Sequence, residues 1–155
     1  MIALVQRVKY ARLSIDNTIH SEIGPGFLVL LGVATADTYE DAEWLSRKVA
    51  NLRILADQDG KMNCSLIETS QEVMVVSQFT LLANASQGNR PSYINAARPE
   101  IAIPLYELFV SKMAEILKKE IKTGVFAADM QIELLNDGPV TLSLDTGILM
   151  KKASQ

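Results

Sequence analysis

Hydrophobic and polar positions along the chain first predict a run of strands. Alternating, β-branched stretches over residues 2–13 and 14–23 predict two strands joined near Asp16-Asn17. A turn signal, Gly24-Pro25-Gly26, then leads into the wholly apolar run 27–33. A strand without polar positions is typical of a sheet that is covered on both faces, so we expect layers on either side of it.

Two segments with helical spacing follow. The first is predicted to begin at Asp37 or Thr38 and to run to about residue 52. Asp37 and Glu40 are three positions apart and resemble a capping box. Trp44 lies off the apolar stripe of this helix, which favours a partly covered surface aromatic over a contact with a partner. The stripe itself consists of Ala42, Leu45, Val49 and Leu52.

A second helix is predicted over about residues 99–120. Pro104 should lie in or near its first turn, where a missing N–H does least harm. Lys118 and Lys119 suit its C-terminus. The broad apolar face of this helix is formed by Leu105, Leu108, Phe109, Met113, Ile116 and Leu117.

Further strands are predicted over residues 62–67, 72–82, 130–135 and 140–144, and the polar stretch 84–98 predicts a long loop. Loops of that length are usually functional or mobile. The chain shows no internal repeat and no linker. We therefore expect one domain over residues 1–155, an α/β protein of mixed α+β type, built as a layered β/β/α sandwich with two helices packed on one side of the sheets.

Two strand-like runs are broken by polar side chains. The run beginning at Val73 passes into Ser77-Gln78-Phe79-Thr80, and a later run is interrupted by Asn136-Asp137-Gly138-Pro139-Val140-Thr141. An unpaired buried hydroxyl or amide costs roughly 1–3 kcal/mol, so buried strands rarely carry such groups unless something satisfies them. The two breaks therefore suggest one shared site.

Composition and charge narrow the classes of partner. The chain has 155 residues, of which 48% are hydrophobic and 21% charged, as in an ordinary globular domain. Its formal net charge of -3 argues against a broad, non-specific nucleic-acid binder, which would normally be basic. The charge is compatible with a protein that binds only the end of a nucleic acid, or with one that binds a small molecule.

Cysteine and histidine are too scarce for several kinds of site. Cys64 is the sole cysteine and His20 the sole histidine, which excludes an internal disulfide and the usual zinc clusters. The N-terminus lacks the layout of a signal peptide, and no apolar run approaches the ~20 residues of a membrane span. We expect a cytoplasmic protein without a cofactor, a resident metal or a membrane partner.

The chain has few residues that could serve as the nucleophile and base of conventional nucleophilic catalysis. His20 lies in a polar hairpin-like segment, which favours a surface histidine over a catalytic one. Cys64 is typical of a small half-buried hydrophobe, and Asp57 with Asp59 is more typical of a turn than of a metal site. Thr80 at the end of a predicted strand is more typical of a β-favouring residue than of a site residue. The residues alone indicate a polar site with little imidazole or metal chemistry.

Nearly the whole chain resembles a known family. The segments 77–81 and 136–141 resemble the two signature motifs of the D-aminoacyl-tRNA deacylases. Six further stretches, in the same order along the chain, add to the likeness: Gln6-Arg7-Val8, Ile23-Gly24-Pro25-Gly26, Asn51-Leu52-Arg53-Ile54, Asp59-Gly60-Lys61-Met62-Asn63, Gly88-Asn89-Arg90-Pro91-Ser92 and Ala128-Asp129-Met130-Gln131.

This resemblance implies a homodimeric hydrolase of the D-aminoacyl-tRNA deacylase fold that cleaves the ester between a D-amino acid and tRNA, and also removes mischarged glycine. It implies that Gly138-Pro139 is cis, reaches into the partner subunit's pocket and leaves no room for an L side chain. The catalytic residues it implies are Ser77, Gln78, Phe79 and Thr80. Those it implies for substrate binding are Gly138, Pro139, Arg7, Asn136, Phe126 and Met130.

Several alternatives stay open at the level of sequence. Thr80 is a candidate nucleophile in the family, yet no base for it is visible, so we expect water to attack with help from backbone donors and the tRNA 2′-hydroxyl. The segment 83–87 carries no charge where the family usually has basic residues, and 147–155 is expected to be a flexible C-terminal tail. A non-catalytic module that binds a nucleotide or the tRNA 3′ end, and a general small-ester hydrolase, are the alternative functions.

Overall fold

The computed structural model describes residues 1–153 of the chain. Its regular elements, in chain order, are β1 (Ile2–Ile15), β2 (Thr18–Ile23), β3 (Gly26–Gly32), α1 (Tyr39–Ala50), β4 (Leu55–Ala56), β5 (Met62–Cys64), β6 (Glu72–Ser77), a 3₁₀ turn (Phe79–Leu82), α2 (Pro99–Leu117), β7 (Lys122–Thr123), β8 (Gln131–Asp145) and α3 (Thr146–Ala153). Among these residues, no helix combines the length and the apolar character needed to cross a lipid bilayer.

Strand β1 organises the main sheet because both of its edges are paired along most of its length. On one edge its first half pairs antiparallel with β3 and its second half with β2. On the other edge it pairs antiparallel with β8 from Ile2 to Ser14. Strand β6 then pairs parallel with β3, and β7 parallel with β6. Strands β4 and β5 form a separate two-stranded ribbon.

Two apolar layers lie on the two faces of this sheet. On one face, side chains of β1, β3 and β6 pack against both α1 and α2, and Phe27 and Phe109 are fully buried there. On the opposite face, Leu28, Met74 and Val76 pack against the second half of β1 and the start of β8. The layered arrangement of mixed α+β type, with α1 and α2 on one side, is therefore as predicted, and α3 is an additional helix.

Helix α1 starts at one of its two predicted caps, Thr38, but its capping pair lies one residue later than predicted. Thr38 is the N-cap, and its backbone N–H donates to Asp41 Oδ2 at 2.8 Å, so Asp41 takes the place predicted for Glu40. Burial alone would raise the pKa of Asp41, but hydrogen bonds from Thr146 and Thr38 outweigh it and hold the pKa below its usual value. Asp37 is not the cap, because its carboxylate pairs with the α-amino group of Met1 and accepts the Ala34 N–H.

Helix α2 runs from Pro99 to Leu117 and ends where Lys118 adopts a left-handed conformation. Pro104 lies in the second turn of the helix, next to the first turn. Since proline has no N–H, the carbonyl of Glu100 loses its intrahelical partner. The helix tolerates this because its apolar face is held by the core, where Leu105, Phe109 and Met113 are buried.

Several predicted strand ends are wrong by a few residues. Strand β5 stops at Cys64 and β6 at Ser77, each short of its predicted end. The two C-terminal strands are one continuous strand, β8, which contains Gly138-Pro139. Helix α3 covers 146–153, where a tail was expected from residue 147, and residues 154–155 of that predicted tail lie outside the described part of the chain.

A buried ion pair ties the start of β1 to both α1 and α3. The α-amino group of Met1 is fully buried, pairs with Asp37 Oδ1, and donates to Thr146 Oγ1 at 2.8 Å. The other oxygen of Asp37 accepts the Ala34 N–H at 2.6 Å. Removing one partner of a buried pair leaves an uncompensated charge, which is costly.

We expect Asp37→Ala to lower the free energy of unfolding by about 3 kcal/mol, because it leaves the buried ammonium without its counter-ion. Urea denaturation followed by circular dichroism measures this. Asp59→Ala is the matched control, since Asp59 is an exposed turn residue. Equal, small losses in the two variants would show that the pair does not stabilise the fold.

Candidate functional site

The candidate site begins where β6 ends. The Gln78 N–H continues the ladder by donating to the Leu31 carbonyl at 2.8 Å, and the chain then tightens into the 3₁₀ turn. Within that turn Leu81 N–H donates to the Gln78 carbonyl at 3.2 Å. Strand alternation therefore stops at Ser77, and the prediction of a strand as far as residue 82 is wrong at this end.

Two backbone donors at the start of this turn have no acceptor. The first N–H groups of any helical turn lack an intrahelical partner. Here the N–H groups of Phe79 and Thr80 donate to no acceptor within residues 1–153. Both are consequently available to an electronegative atom of a bound ligand.

A cavity of about 550 Å³ adjoins the turn and is mainly apolar. Five residues suggested by sequence line it, namely Ser77, Gln78, Phe79, Phe126 and Met130. The wall also includes Val76, Ala97, Pro99, the segment 127–129 and Ile132, none of which was predicted as a site residue. Ala127 has φ of 63°, a left-handed conformation that is uncommon for alanine, and this was not visible in the pattern of polar and apolar positions.

Thr80 does not line this cavity. Its side chain is exposed, and its Oγ1 accepts a hydrogen bond from the Gln78 side-chain amide. An amide cannot take up a proton, so this contact does not activate the hydroxyl as a nucleophile. His20 lies apart from the cavity, in an exposed stretch of β2.

Phe126 lines both the main cavity and a small apolar space of about 30 Å³. Tyr106 lies behind it and donates its hydroxyl to the Val75 carbonyl at 2.7 Å. Burial, followed by the nearby charge of Glu107, raises the pKa of Tyr106 to about 12. Tyr106 therefore stays neutral at physiological pH and supports the wall of the site without exchanging protons.

The second polar break projects out of strand β8. Gln6 of β1 pairs with Thr141 and Val8 pairs with Asn136, so Arg7 alone faces the four residues 137–140. The extra length of β8 leaves the ladder there, as in a large β-bulge. The Gly138-Pro139 peptide bond at its tip is cis, and both residues are exposed.

Arg7 braces the base of this projection. Its Nε donates to the Asp137 carbonyl at 3.2 Å and lies 3.3 Å from Asp137 Oδ2, while its Nη1 donates to the Ile54 carbonyl at 2.7 Å. Gly138 has φ of 119°, a conformation that favours glycine, and a Cβ on it would lie 2.7 Å from Arg7 Nη2, so the guanidinium would have to shift.

Asn136 closes the other side of the projection. Its side-chain amide donates to the Arg7 carbonyl at 2.9 Å and accepts from Thr141 Oγ1 at 3.1 Å. Asn136 and Arg7 therefore hold the two ends of the bulge together, so the tip is carried by a rigid base.

Within this chain the projection and the cavity are separate. None of Arg7, Asn136, Gly138 and Pro139 lines the cavity. Met130 at the cavity wall precedes Gly138 by eight residues of nearly continuous strand, a span of roughly 25 Å at the usual rise per residue. The tip of the projection therefore lies away from the cavity of the same chain.

The described residues contain no group of three or more histidine, cysteine, aspartate or glutamate side chains that could hold a metal ion. Asp57 accepts backbone N–H groups of Asp59 at 3.0 Å and Lys61 at 2.9 Å, as a turn residue does. These hydrogen bonds lower the pKa of the Asp57 carboxyl, the one to Lys61 most strongly.

Comparison with known proteins identifies the fold and the family together. The family described as D-Tyr-tRNA(Tyr) deacylase matches residues 4–145. The D-aminoacyl-tRNA deacylases of Parabacteroides distasonis and Cytophaga hutchinsonii are 53% and 54% identical, each alignment covering 94% of this chain and 97% of the relative.

Two solved structures share the architecture. A c-Myc DNA unwinding element binding protein superposes with a TM-score of 0.88 at 38% identity, over 94% of this chain and 98% of that chain. A probable eukaryotic D-amino acid tRNA deacylase has a TM-score of 0.81 at 14% identity, over 93% and 98%, which is a likeness of fold alone. The family match and the close relatives together show that this chain belongs to the D-Tyr-tRNA(Tyr) deacylase family.

Proposed function

We propose that this protein hydrolyses the ester bond between a D-amino acid and the terminal adenosine of tRNA, and that it removes glycine mischarged on tRNA in the same way. Family membership supports the coarser statement, a hydrolase acting on D-aminoacyl-tRNA. The observation that carries the proposal is the pair of unpaired N–H groups at Phe79 and Thr80 beside a cavity of about 550 Å³. In this proposal residues 1–155 act as a single domain in the cytoplasm, where charged tRNA is used.

The unpaired N–H groups can donate hydrogen bonds to the ester carbonyl oxygen, on which negative charge develops during hydrolysis. When water attacks the ester carbonyl, its oxygen becomes an oxyanion, and two fixed backbone donors stabilise it. In other hydrolases the loss of one such donor costs about 10²–10³ in rate. Ser77, Gln78, Phe126 and Met130 then serve to hold the adenosine and the ester, and the tRNA 2′-hydroxyl assists the attacking water.

Stereochemical selection comes from the projecting segment in this proposal. Because the Gly138-Pro139 tip lies far from its own cavity and is exposed, a second copy of the chain can receive it. Rigid backbone at that position excludes an L side chain by steric overlap while it tolerates hydrogen or a D side chain. The active enzyme is then a homodimer, and sedimentation of the active enzyme as a monomer would contradict this.

Deacylation of charged tRNA separates hydrolysis from binding. Incubation with D-tyrosyl-tRNA should release D-tyrosine, while L-tyrosyl-tRNA under the same conditions should stay charged. Acid-precipitable radioactive amino acid measures both. Glycyl-tRNA should lose its ester as well, because glycine presents no side chain to exclude. Tight binding of tRNA without ester loss would instead support the non-catalytic module.

Thr80→Ala should retain most of its turnover on D-tyrosyl-tRNA, within about threefold of the wild type, because the proposal uses the Thr80 N–H and not its hydroxyl. Single-turnover hydrolysis measures this. Thr18→Ala on exposed strand β2 is the control. If Thr80→Ala fell to the uncatalysed rate while Thr18→Ala stayed active, a threonine nucleophile would replace water in the mechanism.

Arg7→Ala should weaken rejection of L substrates. The variant loses the hydrogen bonds to Asp137 and Ile54, so the tip is held less rigidly. We expect the ratio of kcat/KM for L- over D-tyrosyl-tRNA to rise about tenfold, with Arg7→Lys intermediate because lysine lacks the planar fork.

Lys9→Ala is the matched control for this variant. The ammonium of Lys9 also lies 3.5 Å from Asp137 Oδ2. The Lys9 side chain is 58% exposed, however, so this ion pair contributes little to stability. Its L-over-D ratio should stay close to that of the wild type. Equal losses on the D and L substrates in Arg7→Ala, with folding intact, would argue against a role of Arg7 in selection.

A further inference from the structure

The loop between the 3₁₀ turn and α2 is an ordered arm, which we define as residues 84–94. Asn84 and Ser92 exchange both backbone hydrogen bonds at 2.8 Å, and Ser86 N–H donates to Asn84 Oδ1 at 2.9 Å. Just beyond the arm, Thr35 N–H donates to the Asn95 carbonyl at 3.0 Å. Both ends of the arm are therefore fixed beside the cavity.

An aromatic pair joins the arm to the cavity. The rings of Phe79 and Tyr93 meet edge to face, with centroids 5.1 Å apart and planes at 71°. Phe79 lines the cavity, yet it is 55% exposed, and Tyr93 is 40% exposed. Ile94 beside them is 82% exposed. This edge of the cavity thus presents flat apolar surface to solvent, and nucleic-acid bases stack on such surface.

A groove of about 340 Å³ with both polar and apolar walls lies on the arm, and Ile94, the neighbour of Tyr93 in the chain, lines it. Its walls carry neutral hydroxyl and amide groups together with one cation, Arg90. The Arg90 guanidinium forms no ion pair or hydrogen bond within residues 1–153. No carboxylate lines the groove, so its charge favours an anion, and a free guanidinium with neutral donors suits a phosphate.

We propose that the 84–94 arm binds the unpaired nucleotides that precede the terminal adenosine of the tRNA. In this assignment Tyr93 and Phe79 stack a base at the cavity edge, and Arg90 pairs with a backbone phosphate in the groove. The assignment rests on the proposed function, because the terminal adenosine is taken to occupy the adjoining cavity. The uncharged stretch 83–87 leaves Arg90 as the cation of this subsite.

The decisive kinetic comparison uses two substrates, D-tyrosyl-tRNA and 3′-O-(D-tyrosyl)adenosine, which lacks the preceding nucleotides. For Tyr93→Ala, the ratio of kcat/KM for the tRNA over the adenosine ester should fall roughly tenfold, because base stacking is lost. Tyr93→Phe keeps the ring and should keep the ratio. Tyr39→Ala is the matched control, since Tyr39 is also exposed but lies at the start of α1.

Arg90→Ala should lower the same ratio and also weaken its dependence on salt. For a single-stranded contact, the slope of log KM against log salt should fall by about 0.7. Arg47→Ala is the matched control, because Arg47 is an exposed arginine on α1. An equal effect of Arg47→Ala would mean that only general charge attraction is present, and this would overturn the assignment.

Binding of uncharged RNA keeps this test separate from catalysis. Fluorescence anisotropy with a labelled acceptor-stem hairpin should show roughly tenfold weaker binding by Tyr93→Ala and by Arg90→Ala than by the wild type. Unchanged binding in both variants would overturn the subsite. If the wild-type enzyme hydrolyses neither charged substrate, the proposed function fails, and the hairpin titration still decides the subsite.

Discussion

The structure depends on the double pairing of strand β1. One edge of β1 is paired with β3 and β2, and the other with β8. This places β1 at the centre of the sheet and forces the excess residues of β8 to leave the ladder opposite Arg7. The same pairing positions the β3–β6 edge, from which the cavity is built.

The candidate site places backbone groups where many hydrolases place reactive side chains. The 3₁₀ turn presents two free N–H groups, and the hydroxyl of Thr80 is occupied by an amide that cannot act as a base. Tyr106 is neutral and bonded to the Val75 carbonyl. Chemistry based on backbone dipoles needs no reorganisation of the site during the reaction, which suits ester hydrolysis by water.

Rigid supports surround the parts that would meet the substrate. Arg7 and Asn136 hold the base of the projection, and paired backbone bonds hold the base of the 84–94 arm. In the proposed function, steric exclusion selects the stereochemistry of the substrate, and this requires rigid backbone around the binding site. The exposed surfaces, namely the Gly138-Pro139 tip and the Phe79–Tyr93 edge, are therefore carried on well-braced backbone.

The local pattern of the sequence determined the two long helices, most of the longer strands, the layered class and the position of the two polar segments. It did so because the period of apolar residues differs between helix and strand, and because glycine and proline mark turns. Only the tertiary structure decided that β6 ends at Ser77, since the chain there turns away from the sheet at Gln78. It also decided that 127–129 joins the cavity and that 137–140 leaves it, because both depend on which strands pair and in what register. Strand pairing joins residues far apart in sequence, and no local pattern of side chains encodes it.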